Sequence, residues 1–235
     1  EVGDTAIINF STGTIGVPVA KRIAYLEACR PDVAAVNMGS LNYAKYSRSR
    51  KSFVFQFVFA NPFDEIIELL EAMLRLQIKP EHECFDVGHV GSLAPLVDMG
   101  LLDAPLHADF VMGVVGGVPA TARNVAAMAA NLSEIRFGEP SVRPGSAPQG
   151  AGHSHWGVIG IGRDQWPMVA AALTLGGSIR VGLEDNFYLP DGEMARSNGD
   201  LVAKAREMVR DCGRRPATVA EARRLLGIRA REPAA

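Results

Sequence analysis

The stretch "WGVIGIGRDQWPMVAAALTLGGSIRVGLEDN", residues 156–186, decides the fold class. It begins with a short apolar run at 156–162 and ends with a second one at 178–183. Between them the spacing is helical, from Asp164, which can cap a helix, to Gly176, which can end one. A strand, a helix and a strand in this order predict two parallel strands joined by a helical crossover.

The same alternation runs through the rest of the chain. Strands with almost no polar interruption, which are typical of a sheet covered on both faces, are predicted at 6–10, 33–38, 83–88, 108–115, 156–162 and 178–183. Helices are predicted at 61–77, with Asn61 as the cap, at 164–177, at 197–212, and from Thr218, where Thr218 and Glu221 can form a capping box. A further apolar segment at 51–59 lies inside one connection.

Six strand–helix units leave two architectures open. One is an open doubly wound sheet, and the other is a (β/α)8 TIM barrel that lacks its first two strand–helix units. No G-x-G-x-x-G pattern follows the first strand, which argues against a dinucleotide-binding fold. The segment 139–154 is rich in Pro, Gly and Ser, and we interpret it as a loop insertion because the pattern resumes after it. The chain, residues 1–235, is therefore expected to form a single domain.

Composition restricts the class of protein. The 235 residues are 48% hydrophobic with a formal net charge of −2, which gives no reason to expect a nucleic-acid partner or a membrane surface. The longest apolar block, at 53–60, is too short to span a bilayer. Three widely separated cysteines (Cys29, Cys84 and Cys212) favour a reducing cytoplasm over a disulfide framework.

Polar residues follow several of the predicted strands, at the end where parallel α/β folds bind ligands. The first strand is followed by "STGTIG", in which Ser11, Gly13 and Thr14 precede a helix. Such a turn can present backbone N–H groups to an anion. His89, after the third strand, is a second candidate, with helix capping as its alternative role.

Two adjacent carboxylates, Glu184 and Asp185, end a predicted buried strand that also contains Arg180. A charge at such a place has to be solvated, paired or bound to a metal, because an unpaired buried carboxylate is costly. Glu83 is expected to point into the interior of the fold, where it can pair with Arg180 or take part in catalysis. The residues alone leave both roles open.

His153 and His155 have the spacing of metal ligands. They precede their strand, so we expect them at the end of the sheet opposite the polar residues described above. We therefore interpret them as loop histidines rather than as a metal site.

These motifs resemble one known family along almost the whole chain. The matching segments are "STG", "KPEHECFDVGH", "GVVGGVPA", "GIGRDQWPMVAAALTLGGSIRVGLEDN", "SNGDLVAKAREM" and "ATVAEARRLLG". They look like the β-keto acid cleavage enzymes. The resemblance implies a (β/α)8 barrel, a homotetramer and one divalent metal, typically zinc. It also implies an acyltransferase reaction in which a β-keto acid and acetyl-CoA give a new acyl-CoA and acetoacetate.

The resemblance also implies roles for individual residues. Glu184 resembles the carboxylate metal ligand of the family, and Asp185 resembles its acid/base residue, tuned by Arg180 and Glu83. The "STGT" turn, with Ser11, Gly13 and Thr14, resembles the segment that holds the keto acid. A divalent ion would polarise the β-carbonyl while the neighbouring carboxylate moves a proton.

One departure from the family pattern concerns the metal. The other metal ligands of the family are a His-x-His pair at the end of the second barrel strand, and this sequence begins after that point. We therefore expect an N-terminally incomplete chain, and an intact protein of this length would have a one-ligand metal site. Two other functions stay open: a barrel lyase or aldolase that does not use CoA, and a truncated non-catalytic protein that binds small acids.

Overall fold

The structure, a computed structural model, describes residues 5–137 and 154–228. Its strands are β1 (Asn9–Ser11), β2 (Val33–Asn37), β3 (Leu41–Ser47), β4 (Ser52–Phe59), β5 (Lys79–Cys84), β6 (His107–Met112), β7 (His155–Gly160) and β8 (Ser178–Arg180). Its helices are α1 (Val19–Cys29), α2 (Phe63–Leu76), α3 (Val87–Gly91), α4 (Leu93–Asp98), α5 (Ala122–Ser133), α6 (Gln165–Thr174), α7 (Asn198–Asp211) and α8 (Val219–Leu226). None of the described helices is long and apolar enough to cross a bilayer.

Six strands form one parallel sheet in the order β1-β2-β5-β6-β7-β8. Each new strand of this sheet is added at the same edge, whereas a doubly wound sheet reverses direction at a switch point. The strand order therefore matches part of a barrel and excludes the doubly wound alternative for the described residues.

The sheet is curled. Arg180 on β8 donates a hydrogen bond to Glu83 on β5 at 2.8 Å, although the two strands are three positions apart. In a flat sheet these strands would be separated by about 14 Å. The side chains meet because they lie on the concave face, and this half-barrel interior holds the polar residues of the sheet.

The outer face of the sheet forms the hydrophobic core with the helices. In β2 and β6 every second side chain points away from the concave face. Of these, Val36 and Phe110 are fully buried in the hydrophobic core. Helix α2 contributes Ile66, Leu70 and Met73 from one face. Full burial of such a side chain stabilises the fold by about 1.5–3 kcal/mol relative to exposure. The core thus holds the strands in place, while the side chains on their concave face do not take part in this packing and can form a binding site.

Several details of the helices and strands differ from the sequence prediction. The last strand ends at Arg180, so Glu184 and Asp185 lie in the turn that follows it and do not end the strand. The strand predicted at 83–88 begins at Lys79 and ends at Cys84, because the side chain of Asp86 accepts a hydrogen bond from the N–H of Gly88 (3.1 Å) and starts α3. Asn61 does not cap α2, whose cap residue is Pro62. The side-chain amide of Asn61 donates instead to the carbonyl of Gly39 at 3.3 Å. The capping box of Thr218 and Glu221 is confirmed.

The apolar segment at 51–59 is strand β4 of a β-hairpin, in which it pairs antiparallel with β3. We call residues 41–59 the aromatic hairpin. Its base is fastened to the segment after β6, where the N–H of Ala44 donates to the carbonyl of Val115 at 3.3 Å. Gly116 has φ +100°, and a Cβ at this position would overlap the carbonyl oxygen of Asn42. A side chain there is therefore excluded by both backbone conformation and space.

Candidate active site

A cavity of about 450 Å³ lies at the carboxyl ends of the parallel strands, with the aromatic hairpin as one wall. This is where parallel α/β folds place their ligands. Every residue to which the resemblance assigns a role in catalysis, substrate binding or metal binding lines this cavity. These residues are Ser11, Gly13, Thr14, Glu83, Arg180, Glu184 and Asp185.

The guanidinium of Arg180 joins the carboxylates of the cavity. It donates to Glu83 at 2.8 Å and to Glu184 at 3.0 Å, and it lies 4.0 Å from Oδ2 of Asp185. Burial acts to lower the pKa of Arg180, but the charges of Glu83 and Asp185 outweigh it and raise the pKa. Arg180 is therefore a permanent cation that holds three carboxylates within reach of one another.

Asp185 has the properties of a general base. Its side chain is 9% exposed, and within the described residues Oδ2 accepts no hydrogen bond. Burial raises the pKa of the carboxyl to about 6; the charge of Arg180 opposes the rise, and the charges of Glu184 and Glu83 add to it. A carboxylate with a free lone pair and a pKa near neutrality can both take and return a proton. The tight turn after β8, where the N–H of Asp185 donates to the carbonyl of Gly182 at 3.1 Å, directs it into the cavity.

Glu83 is buried beneath Asp185, on the concave side of β5. Burial raises its pKa, and the charge of Arg180 lowers it. The sequence left open whether Glu83 pairs with Arg180, and the structure contains that pair. One carboxylate oxygen of Glu83 thus holds the guanidinium that lies 4.0 Å from Asp185.

The turn after β1 forms the opposite wall of the cavity. The Ser11 hydroxyl accepts a hydrogen bond from the N–H of Gly13 at 3.2 Å, and Oγ1 of Thr14 is buried without a partner among the described residues. A Cβ at Gly13 would lie 2.7 Å from the side-chain amide of Asn37. Helix α1 begins only at Val19, so the turn itself, rather than the N-terminus of the helix, faces the cavity.

The described residues supply one ligand for the metal that the resemblance implies. The side chain of Glu184 is 76% exposed and is paired with Arg180. It is not part of any group of three or more described His, Cys, Asp or Glu side chains whose ligand atoms converge. A single carboxylate does not make a divalent-ion site, which needs several ligands. The described part of the chain therefore does not fit a complete metal centre at Glu184.

A converging group does exist deeper in the half-barrel, where the ligand atoms of Glu81, His107 and Asp109 all lie within 4.8 Å of one another. Asn9 donates to Oε2 of Glu81 at 2.6 Å, and Oε1 of Glu81 has no hydrogen-bond partner among the described residues. Burial raises the pKa of Glu81 to about 9, and the charges of Asp109 and Glu83 add to the rise. The charge of Arg180 opposes this rise.

Sequence reasoning missed this deeper layer and most of the hairpin wall. Glu81 lies two residues before Glu83, so on a strand both point to the same face. That signal was present in "KPEHEC", but the predicted strand began too late to include it. Tyr43 and Phe57 also line the cavity. The alternation of phenylalanines in "SFVFQFVF" was the available signal for this wall.

The histidines of the sequence lie outside the cavity or outside the described residues. His89 is buried, and its Nδ1 accepts a hydrogen bond from the N–H of Phe85 at 3.1 Å. It therefore has a structural role. His155 is the first residue of β7, at the end of the sheet opposite the cavity, as expected. His153 lies outside the described residues.

Comparison with known proteins identifies the family of this chain. The family model described as beta-keto acid cleavage enzyme matches residues 1–228. The 3-keto-5-aminohexanoate cleavage enzyme of Acetoanaerobium sticklandii is 34% identical over 229 residues, which cover 97% of this chain and 73% of that protein. The 3,5-dioxohexanoate:acetyl-CoA acetone transferase of Paraburkholderia graminis is 32% identical over 240 residues, which cover 95% of this chain and 72% of that protein.

A solved structure shows the same fold. The apo structure of ObcA superposes with a TM-score of 0.70 at 21% identity and covers 96% of this chain. The chain spans 52% of the length of ObcA. The structural likeness supports the half-barrel architecture, and the sequence matches identify the family. The chain belongs to the β-keto acid cleavage enzyme family.

Proposed function

We propose that this protein transfers the acyl group of a β-keto acid to coenzyme A, using acetyl-CoA as co-substrate and releasing acetoacetate. The observation that carries the proposal is the cavity in which Arg180 joins Glu83, Glu184 and Asp185 opposite the Ser11 turn. The names of the relatives supply the reaction class, since one is a cleavage enzyme for a keto acid and another is an acetyl-CoA-dependent transferase.

The proposed reaction begins with removal of a proton from a carbon atom of the keto acid, so it needs a base beside that carbon. The methylene between the ketone and the carboxylate of a β-keto acid is acidic, and Asp185 would remove its proton. The resulting carbanion attacks the acetyl-CoA carbonyl, which forms a carbon–carbon bond and releases the CoA thiolate. The thiolate then adds to the original ketone, and cleavage of the bond to the methylene carbon gives the new acyl-CoA. Asp185 returns the proton, so that acetoacetate leaves and the base is restored.

The remaining residues of the cavity bind the keto acid or position the catalytic side chains. We propose that Ser11, Gly13 and Thr14 hold the carboxylate of the keto acid, because the free hydroxyl of Thr14 and the exposed turn face the cavity. Arg180 lowers the pKa of Asp185 against the effect of burial and keeps the base available near neutral pH. Glu83 fixes the orientation of the guanidinium through the 2.8 Å hydrogen bond.

We propose Glu184 as one ligand of a divalent ion, with zinc as the expected metal. Its exposed carboxylate at the rim of the cavity supports this role. Because the described residues provide no further ligands around Glu184, the steps above depend only on protein side chains.

The test is acetoacetate formation from a panel of β-keto acids, with and without acetyl-CoA. We expect product only with acetyl-CoA, a rate that rises with pH through about 6 as Asp185 ionises, and a loss of kcat of at least about 10³-fold in Asp185→Asn. Metal content should be unchanged in this variant. Product formation without acetyl-CoA would identify a lyase instead, and normal turnover by Asp185→Asn would show that another residue is the base.

We also propose that two further strand–helix units close the half-barrel between its free edges, β1 and β8, within a single domain. The curvature and the strand order support this completion. Coding sequence upstream of Glu1 that specifies a strand ending in His-x-His would establish it, and its absence would favour the non-catalytic alternative.

A homotetramer in the cytoplasm is the expected form of the protein. All three cysteines are free thiols, which supports a reducing compartment. Light scattering coupled to size-exclusion chromatography tests the assembly.

A further inference from the structure

A row of aromatic side chains leads out of the cavity along the aromatic hairpin. The ring of Tyr43 stacks on Phe57 and on Phe55, with ring centroids 5.3 Å and 6.2 Å apart. Further out, Tyr46 and Phe53 contact each other with centroids 5.5 Å apart. Phe55, Phe57 and Phe59 are alternate residues of β4 and all line the cavity. The register of the hairpin shifts between Lys45 and Tyr46, so the Tyr46–Phe53 pair lies beyond a β-bulge.

The outer half of this row is open to solvent. Phe53 is 51% exposed, Phe55 43% and Tyr46 44%. A contiguous exposed aromatic surface on an otherwise well-packed domain marks a binding surface. Since Phe55 also lines the cavity, the surface and the candidate active site are continuous.

The hairpin is also the basic part of the molecule. Residues 41–59 contain Lys45, Arg48, Arg50 and Lys51 and no Asp or Glu, although the chain as a whole has a net charge of −2. All four cations are exposed, and none has a carboxylate partner among residues 5–137 and 154–228. Lys45 is directly opposite Phe55 in the hairpin and therefore lies on the same face.

The floor of the cavity has the opposite charge. Glu83, Glu184 and Asp185 surround the single cation Arg180, and their charges add to the effect of burial in raising the pKa of Tyr43. A polyphosphate group is therefore repelled from the floor and attracted to the hairpin tip. Along β4 the distance from Phe59 at the floor to Phe53 near the tip is about 20 Å.

We propose that the aromatic hairpin binds the coenzyme A portion of the thioester co-substrate. The uncharged pantetheine arm would lie along the aromatic row, with the thioester at Asp185. The nucleotide phosphates would bind Arg48, Arg50 and Lys51 at the tip. This inference rests on the proposed function, because the thioester is the co-substrate of that reaction, and it assigns the co-substrate to a surface separate from the keto acid turn.

The test compares wild-type protein with the triple variant Arg48→Gln/Arg50→Gln/Lys51→Gln, which removes three charges and keeps a polar side chain at each position. Arg210→Gln, an exposed arginine on α7, is the matched control. Calorimetric titration measures binding of CoA, and steady-state kinetics measure KM for acetyl-CoA and for the acetyl thioester of N-acetylcysteamine, which lacks the nucleotide. We expect about tenfold or greater weakening for CoA in the triple variant, no change in Arg210→Gln, and equal use of the truncated thioester by all three proteins.

The outcomes separate this inference from the proposed function. If wild type binds CoA and the triple variant binds it equally well, the hairpin assignment is wrong and the proposed function stands. An altered oligomeric state with unchanged CoA affinity would identify the hairpin as a contact between copies, and would also overturn the assignment. If wild type neither binds CoA nor uses acetyl-CoA, the proposed function itself has failed.

Discussion

Two layers of the half-barrel interior hold buried carboxylates and stabilise them in different ways. In the upper layer Glu83 and Asp185 surround Arg180, whose guanidinium supplies the compensating charge. In the lower layer Glu81 lies two residues before Glu83 on β5, with a carboxylate oxygen within 4.8 Å of one of Asp109. Arg180 lies 3.7 Å from Glu81, compared with 4.0 Å from Asp185. The pKa of Glu81 is raised to about 9, whereas that of Asp185 is raised only to about 6.

The difference shows how burial alone does not determine the charge of a group. Both Asp185 and Glu81 lie near Arg180, but the side chain of Glu81 is more deeply buried and also lies beside Asp109, and both effects raise its pKa further. The pKa of Asp185, at the cavity, therefore lies closer to neutral pH than that of Glu81.

Replacement of Arg180, the compensating cation, should have the largest effect on the free energy of unfolding. Arg180→Met leaves Glu83 buried without its partner, so we expect the free energy of unfolding at pH 7 to fall by about 3 kcal/mol. The pKa of Asp185 should rise further, which moves the pH–rate profile to higher pH and lowers kcat/KM. Urea denaturation and the pH–rate profile measure these effects. Arg180→Lys, the control, keeps the charge without the two-pronged geometry, and should retain more stability than Arg180→Met; equal stability of the two would contradict the role of the charge.

A smaller effect is expected in the lower layer, and it should depend on pH. The folded-state pKa of Glu81 lies near 9 against an ordinary 4.5, so the folded state holds a proton that the unfolded state releases. The associated stability is full below pH 4.5 and is lost as pH rises towards 9. Wild type should therefore lose stability between pH 6 and 9, and Glu81→Gln should lose less. Urea denaturation at both pH values measures this, with the exposed Glu68→Gln as control; parallel curves for wild type and Glu81→Gln would refute it.

The smallest effect on stability is expected at the solvent-exposed rim. Glu184→Gln keeps an oxygen acceptor for Arg180 at a side chain that is 76% exposed, so the free energy of unfolding should change by less than about 0.5 kcal/mol. The variant should nevertheless retain less divalent metal than wild type after dialysis, as measured by elemental analysis. A metal content equal to that of wild type would remove Glu184 from the ligand set.

The fold and the cavity were predictable to different degrees. The apolar runs and the helical stretch in 156–186 predicted a parallel α/β sheet because strand pairing and helix packing both follow periodicity. The segment 41–47 was not recognised as a strand, because its polar and apolar residues are mixed and it pairs only with β4. Glu81 was missed because the start of β5 was placed four residues too late. The contact between Arg180 and Glu83 joins residues 97 positions apart, and curvature of the sheet, which no local pattern encodes, brings them together.

The attachment of the hairpin at Gly116 has a consequence for how such proteins diverge. Because the hairpin is held at its base by Gly116 and the Ala44–Val115 bridge, its tip can gain, lose or exchange residues without moving β8, which carries Arg180, or the turn that carries Asp185. Substrate preference encoded at the barrel mouth and recognition encoded at the tip can then be selected independently. Gly116 thus lies at the boundary between the barrel mouth and the hairpin, two regions whose residues can change independently.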